Sequence, residues 1–134
     1  MSFIPQENRV RNTVQLFYDA FNSHDFSKIP EFITEDWTHI NPFGGWTRGR
    51  DTVLTELVEV HSTFLKGVTD TPEEMEVRFA TLKVAIVTVP SMMSPHTTLD
   101  GVHRENQKQI RTFILVKRAN RWFIMQDQNT FREK

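Results

Sequence analysis

Asp36-Trp37-Thr38-His39-Ile40-Asn41-Pro42-Phe43-Gly44-Gly45-Trp46-Thr47-Arg48-Gly49-Arg50 is the stretch on which the fold turns. Strand residues alternate sides, so Trp37, His39 and Asn41 share one side and Thr38 and Ile40 the other. Pro42 stops the ladder, Gly44-Gly45 turns the chain, and Gly49-Arg50-Asp51 opens a helix. A short strand that offers a ring, an imidazole and an amide to one side reads as the wall of a lined pocket.

Upstream, Pro5 to about Asn22 has helical periodicity, with Val10, Val14, Phe17 and Phe21 in one stripe. Phe26, Ile29, Phe32 and Ile33 suggest a shorter helix or pair of turns around Pro30. Downstream, Asp51 to Lys66 predicts a third helix, with Val53, Leu57, His61 and Phe64 on one stripe and Gly67 closing it. The period then changes to two. Met75, Val77 and Phe79 alternate with charged residues, and Val84 to Val89 is a nearly continuous apolar run. Ser91 to Gly101 is punctuated as a loop by Pro95 and Asp100-Gly101. Two long strands, about Gln107 to Lys117 and Trp122 to Thr130, meet in a hairpin at Arg118-Ala119-Asn120-Arg121. Helices followed by four antiparallel strands make an α+β plan, read as one domain over residues 1–134.

The totals agree with that plan and exclude several classes. A chain of 134 residues can bury a sizeable core unaided. The net charge of −1 leaves no basic field for nucleic acid and no cationic face for a membrane. There is no cysteine, so disulfides and thiolate metal sites are excluded. The amino terminus lacks a basic segment followed by an apolar run, and no window approaches the ~20 apolar residues of a membrane span. A cytoplasmic protein is expected. Phenylalanine outnumbers tyrosine 11 to 1. Such rings build either a core or the wall of a cavity for an apolar ligand.

With Ala119-Asn120 at the hairpin tip, Thr112 falls opposite Asp127 and Arg111 opposite Gln128. Thr112 and Asp127 then share one face, and Arg111 lies on the other. A carboxylate walled by Met125 and Phe123 would have its pKa raised by desolvation, as a general acid or base needs. Asp127, with His39 and Asn41, forms the candidate catalytic set; a structural ion pair of Asp127 with Arg111 or Arg104 is the alternative. Phe17, Phe21, Trp37, Phe43, Trp46, His61, Phe64 and Thr112 are the candidate ligand-lining residues. His24, His96 and His103 read as solvated loop residues. No metal site is expected, since no pair has metal-ligand spacing, and no cofactor, since phosphate-loop, dinucleotide and nucleophile-elbow motifs are absent.

Four pieces, taken in order, carry a family resemblance. They are Leu16-Phe17-Tyr18-Asp19-Ala20-Phe21-Asn22-Ser23-His24-Asp25; Phe32-Ile33-Thr34-Glu35-Asp36-Trp37; Asn41-Pro42-Phe43-Gly44-Gly45 with Arg48-Gly49-Arg50; and Arg121-Trp122-Phe123-Ile124 leading to Gln128-Asn129-Thr130. The chain resembles the nuclear transport factor 2-like superfamily, in particular its SnoaL-like branch and the small SgcJ/EcaC-type members. The resemblance implies a cystatin-like cone: a curved antiparallel or mixed sheet wrapped around three N-terminal helices, with an apolar cavity and a homodimer formed through the sheet.

The ketosteroid isomerase branch has an aspartate base and a first-helix tyrosine where this chain has Asn41 and Phe17, so that mechanism does not carry over. Limonene-epoxide hydrolases match at Asn41 and Asp127, with His39 in place of an aromatic hydroxyl. Their Arg-x-Asp pair would fall near Thr88 and Pro90, where neither charge exists. SnoaL-type cyclases also match at Asp127. The implied function is binding of a small apolar carbonyl or polycyclic molecule, with cofactor-free isomerase, cyclase or hydrolase chemistry. The alternative is a non-catalytic ligand-binding or assembly module.

Overall fold

The computed structural model describes residues 4–98 and 100–133. The part of the amino-terminal reading that concerns residues 1–3, and Leu99 of the 91–101 loop, lie outside the described residues. Helix α1 spans Ile4–Ser23 and buries the expected stripe of Val10, Val14, Phe17 and Phe21. Helix α2 spans Arg50–Ser62 and stops short of Lys66. No helix among the described residues is long and apolar enough to cross a membrane.

Of the three helices expected from the resemblance, the middle one is not formed: the segment around Pro30, read as a shorter helix or pair of turns, makes a 3-10 turn, Ile29–Glu31. Pro30 lacks a backbone donor, and two β-branched residues follow at Ile33 and Thr34. They instead begin strand β1, Ile33–Ile40, four residues before Trp37. The architecture is therefore two α-helices against a sheet.

The remaining strands are β2 (Trp46–Arg48), β3 (Asp70–Pro72), β4 (Glu76–Thr81), β5 (Val84–Met93), β6 (His96–Thr97), β7 (His103–Arg104), β8 (Gln107–Arg118) and β9 (Arg121–Phe131). Seven of these nine strands form one sheet in the order β2-β1-β9-β8-β5-β3, with β4 also pairing β5; β6 and β7 pair with each other. The sheet is mixed, because β1 runs parallel to β9 and sets His39 beside Asp127. This pairing joins the first strand to the last. It brings the Trp37–His39 side of β1 onto the helix-facing side of the hairpin.

The hairpin departs from the expected register at one residue. Pairing proceeds as expected from Arg118↔Arg121 to Leu115↔Ile124, and then Ile114 pairs with Gln126. Met125 is the extra residue of a β-bulge, and everything beyond it shifts by one. Phe113, not Thr112, faces Asp127, and Arg111 faces Asn129. Asp127 and Asn129 thereby join Gln109, Arg111 and Phe113 on the buried face. Thr112 is exposed on the other face and does not line the cavity, which corrects its expected role. The bulge bends the sheet, and the helices cover its concave side. The outer face keeps Val84, Ile86, Ile110, Ile114, Val116 and Phe123 only half-buried.

Candidate functional site

The turn after β1 is built by Asn41. Its Oδ1 accepts from the backbone N–H of Phe43 at 2.9 Å and of Gly45 at 3.0 Å. Gly45 permits this closure, because a Cβ there would sit 2.4 Å from Asn41 Nδ2. The turn carries Phe43 and Trp46 to the edge of a cavity of about 470 Å³. Both rings line it while staying partly in solvent, 46% and 58% exposed. Phe17 and Phe21 of α1 and Phe64 beyond α2 also line the space, as do His39 and Asn41.

Behind that wall lies a fully buried carboxylate. Asp127 Oδ1 accepts from Trp37 Nε1 at 2.9 Å. Its Oδ2 accepts from His39 Nδ1 at 2.9 Å and from Arg111 Nη1 at 2.6 Å. Burial alone would raise the Asp127 pKa, but His39 and Arg111 outweigh it and hold the carboxyl below the usual range. The expected elevation is thus reversed, because the bulge puts Arg111 on the same face. Asp127 is not itself on the cavity wall, and neither is Trp37; both stand behind it.

An ionised carboxylate only accepts, so the hydrogen of His39 sits on Nδ1. The basic nitrogen is then Nε2, which has no protein partner among the described residues. His39 is the member of the pair that reaches the cavity.

Arg111 lines the same cavity, its guanidinium stacked 4.9 Å from the Phe17 ring centre. A second buried carboxylate, Asp70, lies 3.9 Å from its Nη2. Burial raises the Asp70 pKa, only partly offset by Arg111, Ser91, Gln109 and His96. Gln109 Nε2 donates to Asp70 at 3.3 Å, and Asn129 Nδ2 donates to Gln109 Oε1 at 2.6 Å. The Tyr18 hydroxyl is buried near this cluster, and its pKa is raised by burial above all.

His96, expected to be solvated, is 6% exposed and lines the cavity. The reverse holds for His61, which the structure does not bring to the cavity. It lies in a separate surface hollow with His24 and Phe26, its ring 4.4 Å from that of Phe21 and its Nδ1 2.7 Å from His24 Nδ1. The α2 stripe does point His61 inward, but Phe21 and Phe26 enclose the ring.

Sequence reasoning had Arg111 only as the alternative ion-pair partner of Asp127, a pair the structure forms, and did not place it, Gln109, Asp70 or His96 among the site residues. The usable signal for the first two was their period-two spacing with Phe113 and Leu115, which puts polar groups in line with buried ones. Among the described residues no three His, Asp or Glu side chains cluster in a way that could hold a metal ion.

A strand-borne imidazole, a buried carboxylate behind it and a phenylalanine-lined hollow beneath a bent sheet define a class of small α+β proteins with an internal cavity. The chain belongs to the SnoaL-like domain family, whose model matches residues 14–85, within the nuclear transport factor 2-like superfamily. No curated protein sequence matches it.

Among solved structures it is similar to an uncharacterized protein with a cystatin-like fold from Caulobacter vibrioides. Their identity is 20% and the TM-score 0.89, over 95% of this chain and 89% of that one. It is also similar to a "putative dehydratase" of the nuclear transport factor 2-like family from Streptomyces avermitilis, at 14% identity and TM-score 0.81, covering 99% of this chain and 100% of the other. A "putative scytalone dehydratase" from Novosphingobium aromaticivorans matches at 14% identity and TM-score 0.76, over 96% and 85% of the two chains. At these identities the likeness establishes the fold.

Proposed function

We propose that the cavity binds a small, largely apolar carbonyl compound and moves a proton on it without a cofactor. The observation that carries this reading is the His39–Asp127 bond of 2.9 Å, which leaves His39 Nε2 as the free base of an apolar, arginine-edged cavity. In this scheme the C–H bond next to the ligand carbonyl breaks and its proton goes to His39 Nε2. The electron pair becomes an enolate, whose charge Arg111 stabilises. Asp127 is a positioning residue that fixes the imidazole tautomer and steadies the imidazolium. This exchanges the roles first expected for Asp127 and His39. Asn41 shapes the wall through its turn. The two structural relatives described as dehydratases support this class of chemistry, since loss of water beside a carbonyl also begins with removal of such a proton.

β-Tetralone in deuterated buffer is a suitable probe. The protein should accelerate exchange of its α-hydrogens, and His39→Gln should lower that rate about 100-fold or more with the fold retained. Equal rates in the two proteins would remove His39 from the chemistry. The second reading, a binding module without turnover, is favoured by the saturation of Asp127 with three donors. It requires β-tetralone to quench Trp46 fluorescence while exchange stays at the buffer rate. The proposal also joins two copies of the chain through the outer face of the sheet, where six apolar side chains lie half-exposed.

A further inference from the structure

Arg111 and Asn129 both line the cavity, and each keeps one buried polar atom without a protein partner among the described residues. These atoms are Arg111 Nε, a donor, and Asn129 Oδ1, an acceptor. The two residues are 3% and 6% exposed. They pair directly across β8 and β9, so their side chains leave the same face of the sheet next to each other.

The amide of Asn129 is oriented from behind the wall. Asp70 Oδ2 faces Arg111 Nη2 at 3.9 Å and accepts from Gln109 Nε2 at 3.3 Å. An oxygen that accepts draws the nitrogen end of Gln109 toward it and turns the carbonyl end away. Gln109 Oε1 then accepts from Asn129 Nδ2 at 2.6 Å. Asn129 Oδ1 is thus the free end of a relay of buried amides anchored on a carboxylate. Arg111 is fixed as well: Nη1 donates to Asp127, Nη2 is turned to Asp70, and the guanidinium lies over the Phe17 ring.

A donor and an acceptor held side by side restrict what can meet both. A hydroxyl accepts from Nε–H and donates to Oδ1 through one oxygen. A ketone or ether oxygen brings no hydrogen to Oδ1. An ammonium is repelled by the guanidinium, and a carboxylate by Asp70 and Asp127. A purely apolar group would displace water from both atoms and give back no bond, which lowers affinity.

We infer that Asn129, acting with Arg111, is a specificity-determining residue of the cavity and selects ligands that carry a hydroxyl on an otherwise apolar skeleton. The inference rests on the reading of the cavity as a site for small, largely apolar molecules, and adds a second polar group to the ligand. It is independent of the proton transfer assigned to His39.

Naphthalene, 2-methoxynaphthalene and 2-naphthol share one ring system and present no polar atom, an acceptor, and an acceptor that also donates. Equilibrium dialysis at neutral pH compares them. A cavity without the Arg111–Asn129 pair would favour naphthalene, because a hydroxyl must give up its hydration to enter. The unchanged protein should instead bind 2-naphthol about 10-fold or more tighter than either of the others. Asn129→Leu should abolish that preference while naphthalene still binds. Asn129→Ala, which leaves room for water on Gln109 Oε1, should do the same and serves should the leucine variant fail to fold. His39→Gln should retain the preference.

If naphthalene binds as tightly as 2-naphthol, the inference is overturned while the cavity remains a site for apolar molecules. A preference that survives in both Asn129 variants, or that disappears in His39→Gln, would place the hydroxyl elsewhere and overturn it too. If none of the three compounds binds, the inference and the cavity reading fall together.

Discussion

Arg111 stands between two buried carboxylates, 2.6 Å from Asp127 and 3.9 Å from Asp70, and is itself only 3% exposed. Burial works against its charge, but the neighbouring carboxylates prevail and keep the guanidinium protonated. A neutral, flexible replacement would strand two acids in a low-dielectric interior. Arg111→Met should therefore lower the unfolding free energy by about 3–5 kcal/mol, the cost typical of breaking a buried pair from one side. Arg111→Lys should recover only part of it, since an ammonium lacks the planar fork that serves both carboxylates. Urea titration of the three proteins measures this, and a loss below about 1 kcal/mol in Arg111→Met would show that the cluster is not charge-balanced by this residue. At this scale the sequence disclosed part of the site. His39 and Asp127 were legible because an imidazole and a carboxylate stood among rings on strands. Arg111 was legible only as an alternative ion-pair partner of Asp127; its face was not, because the parity that assigned it was broken by one inserted residue.

That residue, Met125, belongs to the scale of elements. Hairpin ends follow from turn chemistry, and Ala119-Asn120, both with positive φ, sit at the tip as expected. A bulge has no comparable local signature here: Ile124-Met125-Gln126 alternates as smoothly as any strand. Only tertiary demand, the need of Trp37 and His39 for an acceptor across the parallel β1–β9 pair, selects the shifted register.

The join between α1 and α2 is a second device that single-strand or helical periodicity cannot disclose. His61 on α2 meets His24, which follows α1, at 2.7 Å. Burial first, then His24 and Arg111, push the His61 imidazole down to about 4. The unfolded chain takes up this proton near 6.5, so between about 6.5 and 4 the unfolded state binds more protons than the native one. This contribution to stability is complete above about pH 6.5 and is lost as pH falls toward 4. His61→Phe, packed against Phe21 and Phe26, should flatten the fall in melting temperature across that window. It should cost about 1 kcal/mol at neutral pH for the lost His24 bond. Asp70 and Asp127 titrate in both proteins with opposite signs, so the difference between the two curves isolates His61. Parallel curves would refute the assignment.

The helices-first plan, the amphipathic stripe of α1, the presence of β5 as a strand and the alternation of β8 were legible in the sequence. They depend on local periodicity, which survives folding. What was not legible was long-range: the parallel return of the last strand beside the first, and which of the two readings around Pro30, helix or turns, holds once Ile33 pairs with Ile124. The outer face of the sheet belongs to the same scale. An antiparallel surface left in water ordinarily alternates apolar-in with polar-out, yet Ile86, Ile114, Val116 and Phe123 face outward and are only half-covered. The helices occupy the concave side, so they cannot cover these residues. A second copy can, and a stable contact needs roughly 800 Å² from each partner, about the span of three adjacent strands. Sedimentation equilibrium at micromolar concentration should then give twice the chain mass of 15.8 kDa. Ile114→Glu combined with Phe123→Glu should return it to one chain without disturbing the cavity, since both side chains lie across the sheet from His39 and Arg111. A single-chain mass for the unchanged protein would leave the face without this partner. A dimer that persists in the double variant would move the interface elsewhere.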